Sequence, residues 1–234
     1  MTQMKNCRLV LFDIDGTLLS TGGAGRRAIK EALVEVYGTC GSADNFPFGG
    51  KTDPQIVREL LLEEGVSEDV VERNLDLFFA RYLQRLRQQL SRSQLRLYPG
   101  VKELLSTLAE TEGMFLGLLT GNIKEGAWIK LRAFQLGKFF RMGVYGDDSP
   151  DRYKLPRIAV ERASKQFKKG FQGRDVVIIG DTLHDIRCAG SIGARTIAVA
   201  TGWTPLTQLR KHKPDFLFPD FGDYQEVVKA ITAE

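Results

Sequence analysis

The fold of this chain is constrained most strongly by short apolar runs that alternate with stretches of helical periodicity. The apolar runs lie at 8–15, 114–120, 175–180 and 195–200, with a weaker one at 215–218. Apolar residues recur at helical spacing between them, over 100–111 and 155–167. Continuous apolar runs of this length are typical of strands that are covered on both faces. The alternation therefore predicts an α/β fold with a doubly wound parallel sheet.

The segment 18–93 departs from this alternation, because it contains helical patterns and no convincing strand. The helical patterns cover 25–37, 54–64 and 70–91. The chain returns to the sheet near Pro99 and Gly100, a pair that is typical of a turn. The sequence therefore predicts a core made of residues 1–17 and 94–234, with an all-helical domain of residues 18–93 inserted after the first strand.

The composition excludes several classes of protein. Hydrophobic residues make up 43% of the 234 residues and charged residues 26%, as in ordinary globular proteins. No apolar stretch approaches the ~18 residues of a membrane span, and the first residues lack the layout of a signal peptide. Three widely spaced cysteines favour a reducing compartment, and a net charge of +4 without a basic block argues against nucleic acid. We expect a cytoplasmic protein, a monomer or weak homodimer, that acts on a small molecule without nucleic acid or membrane.

Polar residues follow three of the predicted strands, at the point where each strand ends. In chain order they are Asp13, Asp15, Thr120, Gly121, Asn122, Asp181 and Asp185. Because the carboxyl ends of parallel strands form the ligand site of an open α/β sheet, we expect these residues to lie close together. Each motif alone is common in turns, but their order after successive buried strands favours a catalytic site.

Clustered carboxylates repel one another unless a cation lies between them, and hard oxygen ligands suit Mg²⁺. The predicted metal ligands are Asp13, Asp15, Asp181 and Asp185. A carboxylate can also attack phosphorus, while a second one protonates the leaving oxygen and later activates water. Thr120 and the amides of Gly121 and Asn122 are expected to hold phosphate oxygens. Lys154, between the second and third strands, is expected to balance the charge.

Four segments resemble the motifs of haloacid dehalogenase-superfamily hydrolases. They are FDIDGTL (12–18), LLTGN (118–122), Lys154 and IGDTLHD (179–185). The segment 189–203 is also similar to the phosphoglycolate phosphatase-like branch. The resemblance implies a Rossmann-like core with a helical C1 cap, which closes over the site and excludes water. One departure is that many relatives have Lys-Pro, whereas Lys154 here is followed by Leu155 and Pro156, so Arg152 is the alternative cation.

The resemblance also implies a role for each matching residue. Asp13 would be the nucleophile, forming an aspartyl-phosphate, and Asp15 the general acid and base. Asp13 would bind Mg²⁺ through its other oxygen and Asp15 through its main-chain carbonyl. The remaining roles are phosphoryl binding by Thr120 and Asn122, stabilisation of Asp13 by Lys154, metal ligation by Asp181, and ligation or support of the metal by Asp185.

The resemblance leaves more than one function open. Asp15 favours a phosphate-ester substrate, because dehalogenases and phosphonate hydrolases need no acid there. We expect a Mg²⁺-dependent phosphomonoester hydrolase acting on a small, phosphoglycolate-like metabolite, with Lys51, Thr52 and Asp53 as the specificity loop of the cap. The alternatives are a sugar phosphomutase of the same superfamily, a phosphonate hydrolase that uses Lys51 as a Schiff base, and a binding module with a vestigial site.

Overall fold

The structure is a computed structural model that describes residues 7–233. Its strands, in chain order, are β1 (Arg8–Phe12), β2 (Leu19–Ser20), β3 (Arg96–Leu97), β4 (Met114–Leu119), β5 (Met142–Val144), β6 (Val176–Gly180), β7 (Arg195–Val199) and β8 (Phe216–Phe218). Its α-helices are α1 (Ala24–Tyr37), α2 (Asp53–Glu63), α3 (Glu68–Leu90), α4 (Val101–Glu110), α5 (Lys124–Ala133), α6 (Leu155–Phe167), α7 (Leu183–Ser191), α8 (Leu206–Lys211) and α9 (Tyr224–Thr232). Short 3₁₀ turns cover Gly137–Phe139, Arg152–Lys154 and Gly173–Asp175.

Six strands form one parallel sheet in the order β5-β4-β1-β6-β7-β8. All five residues of β1 are buried, as expected for a central strand with helices on both faces. The predicted α/β fold with a doubly wound parallel sheet is confirmed. The sequence analysis missed β5, because its three residues include Gly143 and give no apolar run long enough to recognise.

The strand register brings the motif-bearing loops to one edge of the sheet. Phe12 at the end of β1 lies opposite Leu118 of β4 and Ile179 of β6. Asp13 continues this pairing, since its amide donates to the Ile179 carbonyl at 3.0 Å. The residues that follow β1, β4 and β6 therefore leave the sheet at nearly the same level.

Helices α1, α2 and α3 lie between β2 and β3, close to the positions that the helical patterns predict. The two short strands pair antiparallel, with Leu19 opposite Leu97. The helices share an apolar cluster that includes Phe78 and Tyr82, and Ile123 and Ile129 join it from the opposite side. The boundaries predicted for the two domains stay a prediction. None of the helices within residues 7–233 is long and apolar enough to cross a bilayer.

Candidate active site

Three buried carboxylates meet at the carboxyl edge of the sheet. Asp13 follows β1, Asp181 follows β6, and Asp185 lies in the first turn of α7. Each offers a carboxylate oxygen, and these oxygens lie within 4.8 Å of one another. At such separations, like charges in a buried site repel strongly.

Local hydrogen bonds fix two of these carboxylates. Asp185 belongs to a capping box at the start of α7: its Oδ2 accepts from the Thr182 amide at 3.0 Å and from the Thr182 hydroxyl at 2.6 Å. Such a box satisfies amides that a helix start leaves without acceptors. Asp181 Oδ1 accepts from the Thr17 hydroxyl at 3.1 Å. Helix capping therefore sets the position of the Asp185 carboxylate, and the loop after β1 sets the position of the Asp181 carboxylate.

Glycine backbone closes around the Asp181 carboxylate. A Cβ at Gly202 would lie 1.7 Å from Asp181 Oδ2, and one at Gly16 would lie 2.4 Å from it. Gly16 also has a φ of +85°, which favours glycine. A larger residue at either position would displace the carboxylate, so these glycines are required by the geometry of the acidic cluster.

Arg152 is the cation beside the cluster. Its guanidinium is 3% exposed, with Nη2 3.4 Å from Asp13 Oδ1 and hydrogen-bonded to Asp185 Oδ1. Burial opposes its charge, but Asp185 and Asp13 outweigh burial and raise the pKa of Arg152. Burial also disfavours the charged form of Asp13, and it raises the pKa of this carboxyl group to about 7 although the positive charge of Arg152 opposes the shift. One arginine therefore faces three carboxylates.

The charge and donor chemistry of this cluster fit a divalent cation. Burial, together with Asp13 and Asp185, raises the pKa of Asp181 well above its ordinary value. The donors are all carboxylate oxygens, one from the loop after β1 and two from the loop and first helical turn after β6. Hard oxygen ligands with excess negative charge are those that Mg²⁺ takes in proteins.

The loop after β4 lies beside this cluster. Thr120 is fully buried, and its hydroxyl oxygen accepts from the Asn122 side-chain amide at 2.8 Å. A Cβ at Gly121 would lie 2.0 Å from the Lys51 carbonyl oxygen and 3.0 Å from Arg152 Nη1. The predicted phosphate-binding residues are therefore brought to the site, between Arg152 and the segment that precedes α2.

Comparison with known proteins shows the family of this chain. The family model for haloacid dehalogenase-like hydrolases matches residues 10–199. The chain belongs to this family.

Known relatives match this hydrolase over nearly its whole length. It is 27% identical to a phosphoglycolate phosphatase of Pseudomonas syringae pv. tomato, covering 91% of this chain and 76% of that one. It is 26% identical to the provisionally named pyrophosphatase PpaX of Caldanaerobacter subterraneus, covering 96% of both chains. A crystal structure described as a predicted phosphoglycolate phosphatase from Haemophilus somnus is similar in fold, with a TM-score of 0.69, 23% identity, and coverage of 97% of this chain and 100% of that one. The prediction of a haloacid dehalogenase-like phosphatase of the phosphoglycolate phosphatase-like branch is confirmed.

The prediction that Lys154 is the cation of the hydrolase site is wrong. The Lys154 side chain is 72% exposed, and its ammonium lies 4.0 Å from Asp151 on the surface. The reason is the 3₁₀ turn at 152–154, which has about three residues per turn and so directs Arg152 and Lys154 differently. Arg152, the alternative named by the sequence, takes the inward position.

Asp15 lies apart from the other three acids. Its Oδ2 accepts from Lys130 Nζ at 2.6 Å and from the Asn122 amide at 2.8 Å. Lys130 also donates to Asn122 Oδ1 at 2.6 Å, and it is only 4% exposed. The sequence analysis missed Lys130. The available signal was its spacing: Asn122, Gly126 and Lys130 recur every four residues, which places them on one side of α5 and its entry.

The predicted specificity loop, which precedes α2, contacts the loop after β4 directly. The Asp53 amide donates to the Gly121 carbonyl at 2.7 Å, and Asp53 Oδ2 accepts from the Ile123 amide at 2.9 Å. Thr52 donates to the Pro150 carbonyl at 2.8 Å. Burial raises the pKa of Asp53 to about 6, although Lys130 opposes this shift. Lys51 differs, because its ammonium pairs with Glu59 at 2.5 Å, on the helix that follows the loop.

Proposed function

We propose that this protein is a Mg²⁺-dependent phosphomonoester hydrolase that acts on a small phosphorylated metabolite through an aspartyl-phosphate. The observation that carries the proposal is the acidic cluster of Asp13, Asp181 and Asp185 beside one buried arginine. Such a cluster suits a cation that also binds a phosphate oxygen. The proposed phosphate ligands Thr120 and Asn122 adjoin it.

Asp13 is the proposed nucleophile. One of its carboxylate oxygens forms a bond to phosphorus while the bond from phosphorus to the ester oxygen breaks. The leaving alkoxide takes a proton from Asp15. Water then attacks the phosphorus of the aspartyl-phosphate, Asp15 takes up the proton, and the bond to Asp13 breaks to release orthophosphate.

Hydrogen bonds couple the acid–base residue to the phosphate loop. Asn122 contacts both Asp15 and Thr120, so one amide side chain joins the two. Such preorganised contacts reduce the reorganisation that the reaction requires. Arg152 is the proposed partner of the attacking carboxylate and of the phosphoryl group, in the role that the resemblance gives to a lysine.

The Asp13 and Asp181 carboxylates, with the Asp15 carbonyl, are the proposed Mg²⁺ ligands, and Asp185 supports them through Arg152. Bound there, Mg²⁺ would neutralise charge on the attacking carboxylate and on the phosphoryl oxygens. Asp13 must be ionised to attack, and its pKa of about 7 shows how far burial opposes this without a divalent cation.

The substrate that we propose is a phosphoglycolate-like ester. The Pseudomonas relative is named for phosphoglycolate, and the family motifs here include the acid that an alcohol leaving group requires. The ion pair of Lys51 with Glu59 gives no support to the phosphonate alternative. A sugar phosphomutase remains an outcome of the test, as does a vestigial site. A cytoplasmic monomer or weak homodimer stays our expectation.

The proposal is tested by phosphate release from a panel of phosphorylated metabolites, with Mg²⁺ and with EDTA. We expect metal-dependent release that falls by roughly a thousandfold or more in Asp13→Asn, with an unchanged circular dichroism spectrum. Full activity in Asp13→Asn or in EDTA would contradict the mechanism. Isomerisation of a sugar phosphate that requires a sugar bisphosphate and releases little phosphate would establish the mutase instead.

A further inference from the structure

Hydrogen-bond donors gather on the side of the site that faces α1 and α3. Lys130 is the first of them. Its ammonium has three protons, and among residues 7–233 it has two acceptors, Asp15 and Asn122. It lies beneath the start of α1, since a Cβ at Gly25 would be 3.4 Å from Lys130 Nζ. A buried ammonium with a donor to spare is an attachment point for an anion.

The start of α1 adds main-chain donors. The helix is preceded by Gly23, and the Ala24 amide already donates to the Thr21 carbonyl at 3.1 Å. Among residues 7–233, no side chain caps the helix and no acidic residue lies in its first turn, so the amides of Gly25 and Arg26 are the ones without an acceptor. The first amides of a helix have no acceptor within the helix, and they carry a partial positive charge. This start lies next to Lys130, because a Cβ at Gly25 would be 3.4 Å from Lys130 Nζ.

Tyr82 of α3 gives an independent observation. Its side chain is 1% exposed, and its hydroxyl has no hydrogen-bond partner among residues 7–233. A Cβ at Gly126 would lie 3.6 Å from this oxygen, and Gly126 is one turn from Lys130 on the same side of α5. Burial raises the pKa of the phenol, and Asp53 and Asp15 are near enough to raise it further. Buried hydroxyls are nearly always bonded, so this one lacks an acceptor that a ligand can supply.

We propose that Lys130, the Tyr82 hydroxyl and the first amides of α1 form a subsite for a second anionic group of the substrate, a carboxylate. The inference rests on the proposed function, and it specifies the substrate class as a short phosphorylated carboxylic acid. Lys130 and Tyr82 are its specificity-determining residues.

Distance limits the length of this substrate. Lys130 Nζ is 2.6 Å from Asn122 Oδ1, and the amide of the same side chain is 2.8 Å from the Thr120 hydroxyl. The second anion therefore lies within a few ångströms of the phosphoryl oxygens. This separation suits an ester with two or three carbons and excludes the distant second phosphate of a sugar bisphosphate.

Charge favours a carboxylate over a second phosphate. The subsite offers one full positive charge, at Lys130, and the partial charge of a helix start. Asp15 already offsets part of this charge. The remaining positive charge matches a carboxylate, which carries one negative charge, but it does not match a phosphate dianion.

The test compares 2-phosphoglycolate with 2-hydroxyethyl phosphate, in which a hydroxymethyl group replaces the carboxylate. We expect the wild type to prefer 2-phosphoglycolate in kcat/KM by about 10- to 100-fold, the worth of a hydrogen bond to a charged group. Lys130→Met should abolish this preference, and Tyr82→Phe should reduce it several-fold. Lys154→Met is the matched control for Lys130, because it removes an exposed lysine from the same protein.

Tyr37→Phe is the matched control for Tyr82, because the Tyr37 hydroxyl donates to the Val71 carbonyl at 2.9 Å in the same group of helices. We expect Tyr37→Phe to lower Tm and keep the preference, and Tyr82→Phe to keep Tm and lower the preference. An equal loss of both esters in Lys130→Met would overturn the proposal, because Lys130 would then act only through Asp15. A wild type that hydrolyses both esters with equal kcat/KM would also overturn it.

Calorimetric titration of 2-phosphoglycolate into Asp13→Asn, with and without Lys130→Met, gives a readout that does not depend on turnover. If the wild type releases no phosphate from either ester but binding depends on Lys130, the subsite stands and the hydrolase proposal falls. If 2-phosphoglycolate binds equally with and without Lys130, or does not bind, the subsite is overturned.

Discussion

The two sides of the site differ in charge and in the way their residues are held. The sheet side presents Asp13, Asp181 and Asp185 against Arg152. The helical side presents Lys130 and the Tyr82 hydroxyl, with Asp15 between the two sides. One side requires a cation and the other offers donors to an anion. A phosphate ester satisfies both if its phosphoryl group faces the sheet and its leaving group faces the helices.

The sides also differ in their dependence on distant segments. Strand register and helix capping set the acids of the sheet side within a few residues of each strand end. The helical side depends on contacts between residues far apart in sequence, such as Asp53 with Ile123. Substitutions on the sheet side should therefore remove chemistry and stability together, whereas those on the helical side should change docking and selectivity.

The largest expected effect is on the sheet side, from Arg152→Met. Removing one partner of a buried ion pair leaves uncompensated charge, here on Asp13 and Asp185, and costs about 3–5 kcal/mol. We expect that loss in the free energy of unfolding, measured by urea denaturation, and a fall of roughly a hundredfold or more in phosphate release.

Lys154→Met is the control for that comparison, and we expect it to change the free energy of unfolding by less than about 0.5 kcal/mol. If Arg152→Met does not fold, Arg152→Lys keeps the charge and loses the planar fork, so activity should still fall. A larger effect at Lys154 than at Arg152 would refute the assignment of the cation.

The second prediction concerns pH and Asp53. The folded pKa of about 6 lies above the ordinary value of 3.8, so between about pH 4 and 6 the folded chain holds a proton that the unfolded chain has released. The contribution of Asp53 to stability is therefore greatest at low pH, falls as pH rises to about 6, and is constant above. The full change in the free energy of unfolding is on the order of 3 kcal/mol.

Asp53→Asn tests this directly, because the amide oxygen can still accept from Ile123 while the buried charge is removed. We expect the free energy of unfolding of the wild type, relative to Asp53→Asn, to decline between pH 4 and 7. Asp76→Asn, which makes the same change at an exposed position on α3, is the matched control. If the difference in the free energy of unfolding between the wild type and Asp53→Asn does not change with pH, then burial does not raise the pKa of Asp53.

The sheet side was largely predictable from the sequence, and the helical side was not. Asp13, Thr120 and Asp181 each directly follow a buried strand, and because parallel strand ends share one edge, the sequence predicts that these residues lie close together. The error at Lys154 came from a 3₁₀ turn, in which two nearby cations face different directions. Local spacing alone does not decide which of them turns inward.

Lys130 and Tyr82 show why the helical side was harder. The two residues are about fifty positions apart in the sequence, and the packing of α3 against α5 brings them together. Periodicity marks Tyr82 as apolar core, and the structure agrees about burial. What periodicity cannot show is that the hydroxyl at the end of that side chain has no partner within the described residues. That fact depends on the three-dimensional surroundings of one atom.

The smallest predicted effect concerns Gly121, where the two sides of the site are in contact. A Cβ there would lie 2.0 Å from the Lys51 carbonyl, so in Gly121→Ala the loop before α2 must move away from the phosphate loop. Overpacking of this kind costs about 1–3 kcal/mol. The same Cβ would lie 3.0 Å from Arg152 Nη1, so the cation of the acidic cluster moves much less than the loop before α2, and we expect a higher KM with kcat reduced less.

Gly170→Ala is its control, because a Cβ at Gly170 would meet no atom of residues 7–233 within 4 Å. That variant should keep both kinetic constants and change the free energy of unfolding by less than about 1 kcal/mol. If Gly121→Ala instead lowers kcat as much as Asp13→Asn and leaves KM unchanged, then the phosphate loop serves the chemistry of the sheet side directly. Docking of the loop before α2 would then be a consequence of the site's geometry and would not control substrate binding.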